Sequence, residues 1–222
     1  MTNESLIVLT FSILLVSGFM SQASGQIIIT NLDNAVVQLN ISPSHVDSGN
    51  AVHSIGYVNL VNNNGFLVKP PEDVTIQLKS DNPNIASVSS DVIINANQNY
   101  GVFEIKTGST SGETTISATF NGQTVFQNFI VGENNFEIPE DVELVVHLPS
   151  TDMHVNSKMP FSVYLQTSEG KIIQAPYDIK VTFDYEDSLL ILENYHLEIK
   201  EGTYYAWGVI QTNEKVGNAF IR

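Results

Sequence analysis

The side chains best placed to do chemistry in this chain are acidic. Asp184, Glu186 and Asp187 crowd one short stretch, and Glu133, Glu137, Glu140 and Asp141 crowd another. Carboxylate oxygens from a turn and a connecting segment are the hard ligands that Ca²⁺ takes, about six to eight at a time. The spacing of Asp184, Glu186 and Asp187 matches no EF-hand loop. A solvated acidic face is therefore the simpler reading, with Ca²⁺ the one cofactor these residues could hold and no other cofactor expected. A melting temperature that stays fixed up to millimolar calcium would rule the site out.

The five histidines, His45, His53, His147, His154 and His196, form no metal-ligand spacing. There is no Gly-x-Ser-x-Gly elbow and no phosphate-binding glycine loop. Ser, His and Asp all occur, but nothing in their order assembles a triad, so no catalytic residue is assigned. Tyr204-Tyr205-Ala206-Trp207-Gly208 is the most aromatic stretch and holds the only Trp. Matched through its β-turn to the strand over 102–106, it would bury Tyr205 and Trp207 and expose Tyr204, Ala206 and Gly208. A core Trp follows, and a sugar-stacking platform does not. Asn40-Ile41-Ser42 is a glycosylation sequon.

Those residues must be carried by strands. Past residue 25 the pattern is short alternating runs rich in Val, Ile, Thr, Phe and Tyr, cut by Asn, Gly, Asp and Pro. The runs fall at 36–41, 51–61, 66–68, 74–78, 85–88, 92–96, 102–106, 114–120 and 123–131. A second set falls at 143–148, 161–167, 171–174, 179–183, 189–192, 196–200, 203–210 and 219–222. Asn121-Gly122 between two alternating runs is a strong hairpin signal, because both positions tolerate positive φ.

The second set repeats the first. Val58 and Leu60, Gly65, Pro71, then Val74, Ile76 and Leu78 recur 105 positions later as Val163 and Leu165, Gly170, Pro176, then Ile179, Val181 and Phe183. Ile116 falls on Ile221 by the same shift. A fixed period of domain size marks a tandem array. The expected organisation is a signal peptide over 1–25, one antiparallel sandwich over 26–132, an acidic linker over 133–141 and a second sandwich over 142–222. The leader has an apolar core over residues 6–20, with small and polar residues after it and no Lys or Arg before it. An uncleaved anchor is the alternative, although a membrane span needs about 20 apolar residues.

The first copy has a hairpin and a last strand after Ile116, whereas the second stops one residue past Ile221. The second sandwich is thus expected to lack its last strand. A fragment of a longer reading frame is the plain explanation. Strand donation by a neighbour, building a head-to-tail assembly through the open edge of the second domain, is the sharper one.

Composition limits the partners. The 222 residues carry a formal charge of −15, and the sole Arg is Arg222. Phosphate backbones require clustered Lys or Arg, so nucleic acid is excluded as a partner. An anionic membrane surface is disfavoured for the same reason. The chain has no Cys, so disulfides and thiolate sites do not arise, and an exported form must be held by packing.

The segment Tyr57-Val-Asn-Leu-Val-Asn-Asn-Asn-Gly-Phe-Leu-Val-Lys-Pro-Pro-Glu-Asp-Val-Thr-Ile-Gln-Leu78 resembles the core of bacterial immunoglobulin-like repeats of the invasin and intimin kind. Ser80-Asp-Asn-Pro-Asn-Ile-Ala-Ser-Val88 and Gly112-Glu-Thr-Thr-Ile-Ser-Ala118 are similar to further parts of those repeats. The second copy departs from them at Asp184-Tyr-Glu-Asp-Ser-Leu-Leu190. The resemblance implies an all-β fold of two tandem Ig-like antiparallel sandwiches in a secreted or cell-surface protein. It implies a non-enzymatic spacer or adhesion module whose partners are other surface proteins or glycans. A carbohydrate- or ligand-binding module, or accessory domains of a longer secreted enzyme, are the alternatives.

Overall fold

The computed structural model describes residues 13–14, 32, 34–48, 52–133, 141–185 and 187–221. The described elements are all strands. They are β1 (Ile13–Leu14), β2 (Val36–Ser42), β3 (His45–Asp47), β4 (Val52–Val61), β5 (Val74–Ser80), β6 (Ala86–Ser87), β7 (Asp91–Ile94), β8 (Gly101–Thr107), β9 (Gly112–Phe120) and β10 (Gln123–Gly132) in the first half. The second half holds β11 (Val142–His147), β12 (Lys158–Thr167), β13 (Ile172–Ile173), β14 (Ile179–Thr182), β15 (Leu190–Leu192), β16 (His196–Ile199), β17 (Tyr205–Thr212) and β18 (Phe220–Ile221).

In the first half, a sheet of order β3-β10-β9-β5-β7 faces a sheet of order β2-β4-β8-β6. Alternation explains the arrangement. β5 buries Val74, Ile76, Leu78 and Ser80 and exposes the residues between them, as a strand with one face on a core must. Ile76, Val58, Leu60, Ile105, Ile116 and Phe129 meet in one cluster. Asn121 and Gly122 turn β9 into β10 with φ of 48° and 77°, which pins Phe120 opposite Gln123. β3 has no counterpart among the sequence-based strands, because its Ser/Pro/His surroundings carry no alternation. It pairs in parallel with β10, His45 opposite Ile130.

The second half repeats this plan in register. Val74 pairs with Ile94, and Ile179 with Ile199. Val61 bridges Leu67, and Gln166 pairs with Ile172. Ser80 pairs with Ile116, and Tyr185 bridges Ile221. Each second pairing is the first moved by 105 positions. Its sheets are β11-β12-β17-β15, with β13 on β12, and β14-β16. Phe161, Val163, Leu165, Val181, Ile199, Ile210 and Ile221 form a second core. The layers fit tandem Ig-like sandwiches.

One pair of positions shows how closely the copies correspond. In the first half Gly56 stands opposite Phe103, and a Cβ on Gly56 would lie 2.1 Å from the Phe103 ring. In the second half Phe161 stands opposite Gly208, where a Cβ would lie 2.9 Å from the Phe161 ring. The ring crosses from one strand to its partner, and the glycine that makes room for it crosses the other way.

The leader over 1–25 and most of the linker lie outside the described residues, apart from the two residues of β1. Among the described residues no helix is long and apolar enough to cross a membrane.

Candidate functional site: the seam between the two sandwiches

The faces of β4 and β12 that point away from their own cores carry the least expected chemistry. On β4, Val58 and Leu60 point into the first core, so Ile55 and Tyr57 point away from it. Both are nonetheless only 1% exposed. On β12, Phe161 and Val163 belong to the second core, so Ser162 and Tyr164 point outward, yet Ser162 is fully buried. Each face is covered by the other half of the chain.

The covering contacts are polar and aromatic. Ser162 Oγ donates to Ser42 Oγ at 2.7 Å. The backbone N–H of Asp47 donates to the Tyr204 hydroxyl at 3.1 Å. Asn99 Nδ2 donates to the Lys158 carbonyl at 2.5 Å, and the Lys158 N–H donates back to Asn99 Oδ1 at 3.2 Å. Lys69 Nζ donates to the Asn156 carbonyl, and the Phe66 and His154 rings meet edge to face with centroids 4.9 Å apart. Tyr204 and Ile172, both from the second half, are buried within the first core cluster, with Tyr164 and Tyr205 packed against it. Buried polar groups are costly unless paired, and these are mostly paired. The exception is the Tyr57 hydroxyl. It lies beside Ser162 but makes no hydrogen bond of acceptable geometry among the described residues.

Burial sets the electrostatics here. It pushes the phenols of Tyr57 and Tyr204 well above their usual range, in Tyr204 with help from the Asp47 charge. Tyr205 is pushed up to about 12, by burial first and by Glu104 second. His147 and His154 are both lowered by burial. A histidine held neutral by the fold binds fewer protons than it does unfolded. Its stabilising contribution is present above the ordinary value of 6.5 and is lost as pH falls below it. Denaturation midpoints are therefore expected to fall between pH 7.5 and 5, with a shallower fall in the double variant His147→Gln/His154→Gln. A midpoint independent of pH would contradict this.

The aromatic stretch corrects the expectation from sequence. Tyr204 is fully buried, Gly208 is buried, and Trp207 is 40% exposed, the reverse of the expected parity. The reason lies in the register. Gly208 must face inward to leave room for Phe161, so its neighbour Trp207, opposite Ser162, faces outward. Trp207 is not a core residue. Its fluorescence is expected to be red-shifted and open to acrylamide quenching; a blue, unquenchable emission would contradict its placement. With Tyr204 sealed in the seam, the three aromatics do not form one platform.

The remaining candidates are dispersed. Asp184 and Asp187 are exposed, and Glu186 lies outside the described residues. Among the described residues no three His, Cys, Asp or Glu side chains come together as a metal group. Asn40 is half-buried on β2 opposite Tyr57, so the sequon lies on the face that meets the second half. Its Ser42 is buried and bonded to Ser162.

What the described residues define is an all-β fold consistent with tandem Ig-like sandwiches, whose two halves meet through polar and aromatic contacts. No family model matches the chain, and no curated protein matches it. Among solved structures it is similar to the Yersinia pseudotuberculosis adhesin InvE, at 14% identity over 86% of this chain and 56% of that one, with a TM-score of 0.36. It is similar to the S-layer protein SbsC, domains 5–6, at 17% identity over 85% of this chain and 92% of that one, with a TM-score of 0.45. It is also similar to the Escherichia coli adhesin FdeC, at 14% identity over 83% and 58%, with a TM-score of 0.31. The chain spans little more than half of the two adhesin structures. These overlays are loose, and the sandwich assignment rests on the strand order and the two cores.

Proposed function

We propose that this chain is a non-enzymatic protein of the cell exterior. Its two Ig-like domains, 26–132 and 142–222, act as a stiff spacer or interaction module for other surface proteins or glycans. The buried seam supports this reading most. Two repeats with their outer faces locked together behave as one block, and a block transmits position along a surface array better than beads on a flexible tether. The strong acid excess fits a solvated, self-repelling exterior. The test is labelling of intact cells with an antibody to the chain, with protease shaving as a check. Surface labelling lost on shaving is expected. Signal that appears only after lysis would contradict the assignment.

The exposed Trp207 favours a second reading, a glycan contact through a single aromatic ring. Titration of the wild type and Trp207→Ala with oligosaccharides separates the two. Heat of binding lost in the variant would favour the ligand-binding module, and no heat in either protein would leave the spacer.

A further inference from the structure

The outward face of the five-stranded sheet in the first half carries a pattern that the fold does not require. Its register sets side chains in rows across β10, β9, β5 and β7. Phe126 lies opposite Ser117, and Ser117 opposite Lys79. One row along, Thr124 lies opposite Thr119, Thr119 opposite Gln77, and Gln77 opposite Asp91. Phe126 is 66% exposed, the most exposed aromatic among the described residues. The core does not need it, since Phe129 and Val131 already seat β10 there. These side chains line an open depression of about 660 Å³, inside the usual range of ligand sites, about 300–1,000 Å³. The second half is different at the same positions. Shifted by 105, Thr75, Gln77, Asp91 and Ile93 become Lys180, Thr182, His196 and Glu198. The Glu198–Lys200 ion pair, at 2.6 Å, lies at that face. The hydroxyl and amide groups around an exposed ring thus belong to the first half and not to the fold in general.

We propose that this face is a binding site for a neutral oligosaccharide, with Phe126 as the stacking ring and Gln77, Thr119 and Thr124 as the hydrogen-bonding groups. A pyranose presents C–H groups on one face and hydroxyls around its rim. The first suit the electron-rich face of an aromatic ring, and the second suit side chains that both donate and accept. The Thr119 and Thr124 hydroxyls share one hydrogen bond at 2.9 Å, and each keeps capacity for more. Cross-strand neighbours stand about 5 Å apart and successive rows about 7 Å apart, so one short sugar chain reaches both the ring and the hydroxyls. Charge selects the neutral class. The one cation lining the depression, Lys79, is paired with Asp81 at 3.4 Å, and Asp91 adds a carboxylate. An anionic ligand is therefore disfavoured. A protein partner is served less well, because hot spots favour Trp, Tyr and Arg, with Ser and Thr under-represented. The site is distinct from Trp207, and it does not depend on the surface-spacer reading.

The test is a glycan array carrying neutral and sialylated oligosaccharides, followed by calorimetric titration of the bound neutral glycan into the full chain and three variants. Phe126→Ala is expected to weaken binding about tenfold, the worth of one ring contact. Phe126→Tyr is expected to keep the affinity, and Trp207→Ala to leave it unchanged. Melting temperatures close to that of the wild type are expected throughout, because substitutions at exposed positions away from the core cost little. A wild type that binds no neutral glycan, or equal affinity in Phe126→Ala, would overturn the proposal. Binding confined to sialylated glycans, or lost in Trp207→Ala instead, would overturn it as well. Sedimentation of the wild type and Phe126→Ala gives the remaining check. An oligomer that falls apart in the variant would make the face a contact between copies and overturn the glycan assignment.

Discussion

Gly56→Ala is expected to destabilise the first sandwich by about 1–3 kcal/mol, the usual cost of forcing atoms into a packed core. The new methyl would lie 2.1 to 2.5 Å from three atoms of the Phe103 ring. The ring cannot move far, because its neighbours Ile105 and Val58 are themselves buried in that core. Gly208→Ala is expected to cost less, since its methyl would meet the Phe161 ring edge at 2.9 and 3.0 Å. The second sandwich also suggests the cure. Exchanging the pair, Gly56→Phe with Phe103→Gly, copies the arrangement of Phe161 with Gly208. The double variant is expected to be more stable than the sum of the single losses allows, by roughly 1–3 kcal/mol of coupling in a double-mutant cycle. Urea denaturation measures all four proteins. Additive losses would show that the ring and the glycine do not share one space.

Tyr204→Phe and Tyr57→Phe remove the same atom from two buried tyrosines, and opposite results are expected. The Tyr204 hydroxyl accepts the Asp47 N–H across the seam. Its loss leaves a buried donor without that acceptor, a cost of about 1–3 kcal/mol. The Tyr57 hydroxyl makes no such bond. Removing a buried polar group that has no partner is close to neutral or stabilising. Melting temperatures of the two variants decide it. A loss in Tyr57→Phe as large as in Tyr204→Phe would mean that Tyr57 is bonded to Ser162 after all.

Much of the architecture is legible from spacing. The shift of 105 positions relates not only the strands but their individual pairings, down to Tyr185 with Ile221. The same shift carries Phe103 onto Gly208 and Val102 onto Trp207, which gives the observed parity of the aromatic strand. The turns obey that shift as well, Asn97 and Gly202 both having positive φ. Setting 102–106 against 204–208 departs from it by three residues, and an odd slip turns every side chain to the other face.

The seam was harder to read. Alternation predicts which residues leave a core, but an outward face is read as solvated by default. One signal was available in β4, where Ile55-Gly56-Tyr57-Val58 breaks the alternation. A strand apolar on both faces is covered on both. The polar residues of the seam, Ser42, Asn99 and Ser162, give no such signal, because each is ordinary on an exposed strand.

Through the seam the two halves are expected to move as one block. The absence of Cys makes a clean measurement possible. Spin labels on cysteines introduced at the exposed positions Asp91 and Glu201 report the distance between the halves by pulsed dipolar spectroscopy. One narrow distance distribution is expected, broadening in Tyr204→Ala. A distribution in the wild type as broad as a flexibly tethered pair would give contradicts it.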